Sequence, residues 1–137
     1  MQTLIDTGFL LAIIYAKDRN HQRALEAIRK LRDERVIAAP VLVEVFYMAV
    51  VRVNYAAAIT LFDRITSAGF TVVDLTAEDY PRMAEIMRSY QDAAFDFTDV
   101  AQMVIAERMN ITRIFTFDRR DFSVFRPKHT PFLELLP

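Results

Sequence analysis

Gln2-Thr3-Leu4-Ile5-Asp6-Thr7-Gly8-Phe9-Leu10-Leu11-Ala12-Ile13-Ile14-Tyr15 begins with a short extended stretch, then one acid, then an apolar run. Gln2 to Ile5 reads as a strand, and Thr7 to Tyr15 as a helix fed directly by it. A strand running straight into a helix is half of a parallel α/β unit. The rest of the chain repeats that grammar. His21 to Arg35 predicts a helix, with Ala24, Leu25, Ile28 and Leu31 at three- and four-residue spacing and Asp18 or Asn20 able to cap it. Val36 to Ala39 reads as the next strand, and Pro40 suits a first helical turn. Val41 to Val53 is apolar nearly all round. Its 13 residues and the leading proline decide for a helix, buried on both faces and partly by a second chain.

Tyr55 to Ser67 follows as a helix, with Gly69 placed for a left-handed cap. Phe70 to Val73 is a strand. Thr76 and Asp79 have capping-box spacing for a helix running to Tyr90. Asp92 to Thr98 reads as a loop and Asp99 to Met109 as a helix closed by Asn110. Arg113 to Phe117 is a strand, Asp118 to Lys128 a loop with room for one helical turn, and Phe132 to Leu135 a last strand. Strands alternating with helices predict a parallel sheet covered on both faces.

Composition bounds the function. The chain has 137 residues, enough for one domain with a real core, and 53% are hydrophobic. Its longest apolar runs fall short of a membrane span, and Met1-Gln2-Thr3 lacks a basic leader, so the expectation is a cytoplasmic protein. No cysteine is present and only 2 histidines, which excludes disulfides and zinc–thiolate sites. The net charge of −1 favours no polyanion, yet Arg108, Arg113, Arg119, Arg120, Arg126 and Lys128 outnumber nearby acids in the last third. They read either as a solvated edge or as a local basic surface.

Four acids break the pattern of a packed domain. Asp6 follows Leu4-Ile5, Glu44 interrupts Val41 to Phe46, Asp99 opens the apolar stretch to Met109, and Asp118 ends Ile114 to Phe117. A carboxylate inside apolar structure is costly unless something pairs with it. In open α/β sheets the ligand crevice lies beyond the C-terminal strand ends. Asp6 and Asp118 fall at such ends, while Asp99 and Glu44 lie in early turns of helices facing the same edge. An all-oxygen set of this kind suits Mg²⁺ or Mn²⁺. Taken singly, each acid has another explanation: Asp6 as a helix cap, Asp99 as a helix-start acid, Asp118 as a turn residue, Glu44 as a partner of Arg52.

Leu4-Ile5-Asp6-Thr7, Val43-Glu44-Val45, Thr98-Asp99-Val100-Ala101 and Thr116-Phe117-Asp118-Arg119-Arg120-Asp121-Phe122, in that order, resemble the PIN domain, and more narrowly the VapC-type toxin ribonucleases. The resemblance spans residues 1–137 as a single domain. It implies a three-layer α/β/α sandwich with a parallel sheet, Mg²⁺- or Mn²⁺-dependent RNA cleavage, a cognate antitoxin, and a homodimer. It carries the catalytic acids to Asp6, Glu44, Asp99 and Asp118. Asp6 and Asp99 would be metal ligands, with Glu44 and Asp118 completing the site directly or through water. Thr7 and Thr116 would orient those ligands, and Asp96 stands as a rival or helper to Asp99. Arg119 and Arg120 are candidate RNA contacts. The competing readings are a housekeeping RNA-processing nuclease with no antitoxin and a Mg²⁺-binding receiver-like module. A receiver wants paired early acids and a late lysine, whereas here the early acid is single and no lysine lies between Lys30 and Lys128.

Overall fold

The computed structural model describes residues Met1–Pro137. The elements in order are β1 (Gln2–Ile5), α1 (Thr7–Ile14), α2 (His21–Lys30), β2 (Glu34–Ala38), α3 (Ala39–Arg52), α4 (Tyr55–Ser67), β3 (Phe70–Val73), α5 (Asp79–Ser89), α6 (Phe97–Met109), β4 (Arg113–Phe115), α7 (Arg120–Val124) and β5 (Glu134–Leu136). The sheet order is β3-β2-β1-β4-β5, and every pairing is parallel. From β1 the chain steps outward to β2 and β3, then returns across β1 to β4 and β5. Right-handed crossovers put the connections of these two excursions on opposite faces. Helices α1 to α4 pack among themselves on one face, and α5, α6 and α7 form the group on the other. The expected three-layer α/β/α sandwich is the one observed.

Several boundaries move for identifiable reasons. The helix expected to reach Arg35 stops at Lys30, because the sheet claims the next residues. Glu34 donates its N–H to the Met1 carbonyl at 2.9 Å and pairs with Gln2 in the ladder. Helix α6 starts at Phe97, two residues before Asp99, because the Asp96 carboxylate accepts the Asp99 N–H at 2.8 Å and caps the helix. The expected start at Asp99 missed that cap. Strand β4 ends at Phe115, and β5 shifts to Glu134–Leu136 under its pairing with Arg113 to Phe115. The capping box at Thr76 is half formed: Asp79 accepts the Thr76 N–H at 2.8 Å, but the Thr76 hydroxyl is buried without a partner. Helix α3 is corrected more substantially. It buries one stripe, Val41, Val45 and Ala49, while Val43, Tyr47 and Val51 are exposed. Propensity and hydropathy cannot show which side of an all-apolar helix meets the core.

The core fixes what the site needs fixed. Phe9 in α1 stacks on Phe115 at 4.5 Å and on Phe117 at 5.3 Å. That ladder holds the first turns of α1 against the end of β4, so Asp6 and Asp118 share one edge. Phe115, Phe122 and Phe125 are buried in the core, and Phe117 is half-buried. On the far face, Arg82 grips Glu107 through two bonds of 2.8 and 2.9 Å, and Arg108 reaches Asp79 at 3.0 Å. These pairs lock α5 to α6.

Asn110 closes α6 in the left-handed region, at φ 56°. An L residue with a Cβ pays roughly 1–2 kcal/mol there, less for Asn and none for Gly. Asn110→Ala is therefore expected to lower unfolding free energy by about 1 kcal/mol in urea titrations, and Asn110→Gly to leave it unchanged or raise it.

Candidate active site

Asp6 ends β1 and caps α1, its Oδ1 accepting the Thr7 N–H at 2.8 Å. Only 7% of the residue is exposed. Two further donors close on it from other elements. Gln102 of α6 donates from Nε2 to Oδ1 at 2.9 Å, and Thr116, just past β4, donates its hydroxyl to Oδ2 at 2.7 Å. The Thr116 hydroxyl oxygen also lies 2.9 Å from the Asp118 carbonyl, so it ties Asp6 to the turn that carries Asp118. Burial pushes the Asp6 carboxyl above its usual range, its three hydrogen bonds pull it back, and the charge of Asp118 adds to the rise.

Glu44 joins through Thr7, whose hydroxyl donates to Glu44 Oε1 at 2.8 Å. The pairing with Arg52 does not form. Asp118 occupies the turn after β4, where its Oδ1 accepts the Arg120 N–H at a long 3.4 Å. Asp99 sits in the first turn of α6 and is pushed up to about 9, by burial first, then by a shared hydrogen bond with Asp121, then by the charges of Asp96, Asp6 and Asp121. At neutral pH this carboxyl keeps its proton unless a cation stands in for it.

The acids form two linked groups. One is Asp6, Glu44 and Asp118, joined through Thr7 and Thr116. The other is Asp99, Asp96 and Asp121 at the start of α6 and α7. No three of them stand in coordinating geometry as the chain is folded. Like charges at close range favour such a spread, and a Mg²⁺ ion binds through few carboxylates and keeps several waters. Seven ion pairs are present, and none includes Asp6, Glu44, Asp96, Asp99 or Asp118. Oxygen donors with no internal cation fit a hard divalent ion.

Clefts flank the acids on both sides. One of about 630 Å³ runs past Glu44 and Thr98 between Val43, Leu75, Tyr80 and Phe97. Another of about 540 Å³ runs past Asp118 between Gly8, Asn20, Met48 and Arg52. The basic stretch of the last third is mostly committed elsewhere: Arg113 pairs with Asp33 and Glu134, Arg108 with Asp79, and Lys128 with Glu85. Arg119 donates to the Pro137 main-chain oxygen. Arg120 is 80% exposed and pairs with Asp121 at 3.6 Å, and exposed Arg126 bonds only main-chain oxygens. Both histidines are structural, His21 Nδ1 bonding the Ala12 carbonyl and His129 Nε2 that of Ile111, each at 2.7 Å.

The PIN domain family model matches residues 3–126. This chain belongs to the PIN domain family. Its similarity extends to Ribonuclease VapC26 of Mycobacterium tuberculosis, at 31% identity over 90% of this chain and 92% of that protein. Among solved structures, the fold matches Mycobacterium tuberculosis VapC20, described as a sarcin-ricin loop cleaving toxin, with a TM-score of 0.83 and 20% identity over 93% of this chain and 98% of that one. It also matches a chain of VapBC2 from Rickettsia felis, solved with a promoter DNA fragment, at a TM-score of 0.71 and 18% identity over 98% and 97% of the two chains. A toxin–antitoxin complex from Klebsiella pneumoniae gives a TM-score of 0.65 at 18% identity, covering 96% of this chain and 98% of that one. In this PIN domain two polar residues of the site escaped the sequence reading. Asp121 figures in the sequence only as part of the Thr116 to Phe122 stretch, and Gln102 is not singled out there. Gln102 had the same signal as Glu44, a lone polar residue inside an apolar helical run.

Both Asp6 and Asp99 have folded-state values above their unfolded ones, so the folded chain binds more protons and loses stability as pH rises. The Asp99 window runs from its ordinary 3.8 to about 9. In EDTA, the melting temperature is expected to fall across that window. Asp99→Asn should flatten the fall; an unchanged slope in the variant would remove Asp99 from the repulsive cluster.

Proposed function

We propose that this chain is a divalent-metal-dependent endoribonuclease acting as the toxin of a toxin–antitoxin pair. The observation that carries the reading is the cluster of carboxylates at the sheet edge, with Asp6 buried, Asp99 pushed up to about 9 among acids, and no cation paired to Asp6, Glu44, Asp99 or Asp118. Its similarity to a VapC ribonuclease supports the class of reaction. Asp6 and Asp99 would hold Mg²⁺ or Mn²⁺, with Glu44 and Asp118 binding directly or through water. Such an ion supplies a water of lowered pKa and neutralises charge building on the phosphate.

The protein's own groups do the rest. Thr7 and Thr116 fix the faces of Glu44 and Asp6, so that free lone pairs are held in one orientation. Asp96 shapes the site from outside, by capping α6 and by adding negative charge beside Asp99. Arg119 and Arg120 would meet the RNA backbone beside the acids. RNA is the substrate class, supported by the ribonuclease relative.

The partner reading rests on exposed apolar surface. Val43, Tyr47 and Val51 on α3, and Tyr55, Ile59 and Phe62 on α4, are all open. A contiguous apolar face of this kind marks an interaction surface. We assign it to an antitoxin segment and, in part, to a homodimer contact. An antitoxin arginine reaching the carboxylates would replace the metal's charge and block RNA and ion together. No helix is long and apolar enough to cross a membrane, and action on cellular RNA fits a cytoplasmic location.

Purified protein is expected to cleave RNA with Mg²⁺ or Mn²⁺ and to stop in EDTA. Asp6→Asn should reduce cleavage more than ~100-fold, beyond the usual effect of residues that only support ligands. Expressed alone, the wild-type chain should arrest growth, and Asp6→Asn should not. Cleavage that persists in EDTA would sink the metal mechanism, and arrest that survives Asp6→Asn would sink the toxin reading. Light scattering at micromolar concentration should report a dimer; a monomer would contradict the second-copy assignment.

A further inference from the structure

Helix α6 is almost wholly buried from Val100 to Ala106, and Gln102 is the one polar residue inside that run. It is fully buried, at 0% exposure. Its Nε2 donates to Asp6 Oδ1 at 2.9 Å, while its Oε1 is buried with no partner. A buried amide left half satisfied is costly compared with a hydrocarbon of the same shape. Packing alone therefore gives no reason for glutamine here. The opposite amide orientation would set Oε1 against a carboxylate oxygen, so the bond to Asp6 fixes which end faces it.

The location gives this bond a task. Gln102 is three residues after Asp99 on the same helix, so the two share a face. Its amide spans from that helix to the end of β1, which holds Asp6. The bond thus ties together the two elements that carry the two acids assigned to the metal. It also fills a defined position on Asp6. Oδ1 receives the Thr7 N–H and the Gln102 amide, and Oδ2 receives the Thr116 hydroxyl. A carboxylate offers about four accepting positions, so three donors leave about one, in a direction set by the other three.

We propose that Gln102 is a positioning residue of the acid centre, whose amide orients Asp6 and sets its placement against Asp99 for a divalent cation. This rests on the metal-dependent nuclease reading. The effect comes through Asp6, and Gln102 itself need not touch RNA or metal.

The test compares wild type with Gln102→Met, which keeps length and volume and removes both polar atoms. Three readouts are taken: Mn²⁺ affinity from the electron paramagnetic resonance signal of free Mn²⁺, the melting temperature in EDTA, and kcat and KM for RNA cleavage. The expected result is Mn²⁺ binding weakened ~10–100-fold, the range for groups that orient metal ligands. The melting temperature in EDTA should change little, because removing the unpartnered oxygen offsets the loss of the bond to Asp6. At a fixed subsaturating Mn²⁺ concentration kcat should fall while KM for RNA stays near wild type. Wild-type Mn²⁺ affinity in the variant overturns the proposal, whether the melting temperature drops or holds. If Gln102→Met does not fold, Gln102→Leu is read by the same criteria. Wild-type protein that neither binds Mn²⁺ nor needs it for cleavage defeats the metal reading itself, an outcome visible before any variant is made.

Discussion

The structure turns on one buried carboxylate. Asp6 sits where β1 stops and α1 starts, and its three donors come from α1, α6 and the turn after β4. Each bond offsets part of the cost of burying charge, and each pins a different element to the same spot. Remove the requirement to satisfy Asp6 and there is no evident reason for a glutamine in the buried face of α6. The hydroxyl at Thr116 would also lose one of its two contacts. A residue that is expensive to bury has organised its surroundings to hold it.

The sheet order explains why the acids meet there. β1 is central, with β2 and β3 on one side and β4 and β5 on the other. The chain reverses direction across β1, and at such a switch point adjacent connections leave for opposite faces, opening a crevice at the strand ends. Asp6 lies at that crevice from β1, and Asp118 from the neighbouring β4. Helix α6 returns over the opposite face and delivers Asp99 to the same edge, while α3 brings Glu44 to Thr7. The four positions share one edge of the sheet because a parallel sheet points all its strand ends one way.

The same molecule treats charge in two manners. Away from this edge, Arg82 with Glu107, Arg108 with Asp79 and Arg113 with Asp33 satisfy one another at about the distance of good ion pairs. At the edge, Asp99 is pushed up to about 9 among neighbours of its own sign. Local conflict of this kind is where functional sites depart from the rules that stabilise the rest. A comparable departure marks α3 and α4, where aromatic and branched side chains face outward although one small domain could have used polar ones.

The alternation of strand and helix, the identity of Asp6, Glu44, Asp99 and Asp118, and the hydroxyls at Thr7 and Thr116 were legible in the sequence. The elements were encoded in periodicity, the four acids stood out among apolar neighbours, and the two hydroxyls came with the PIN-domain resemblance. The start of α6 at Phe97 is set locally too, by the Asp96 carboxylate, which caps the helix ahead of the start expected at Asp99. Other features were not local at all. Which side of α3 is buried, the end of α2 at Lys30, the contact of Asp121 with Asp99 and the bond from Gln102 to Asp6 each depend on where a distant segment lies. The sequence alone determined which acids stand out as candidates for the chemistry, because side-chain type and spacing are written along the chain. Only the tertiary structure decided which carboxylates touch and which donors hold them, because hydrogen bonds and desolvation act over a few ångströms in space, whatever the separation along the chain.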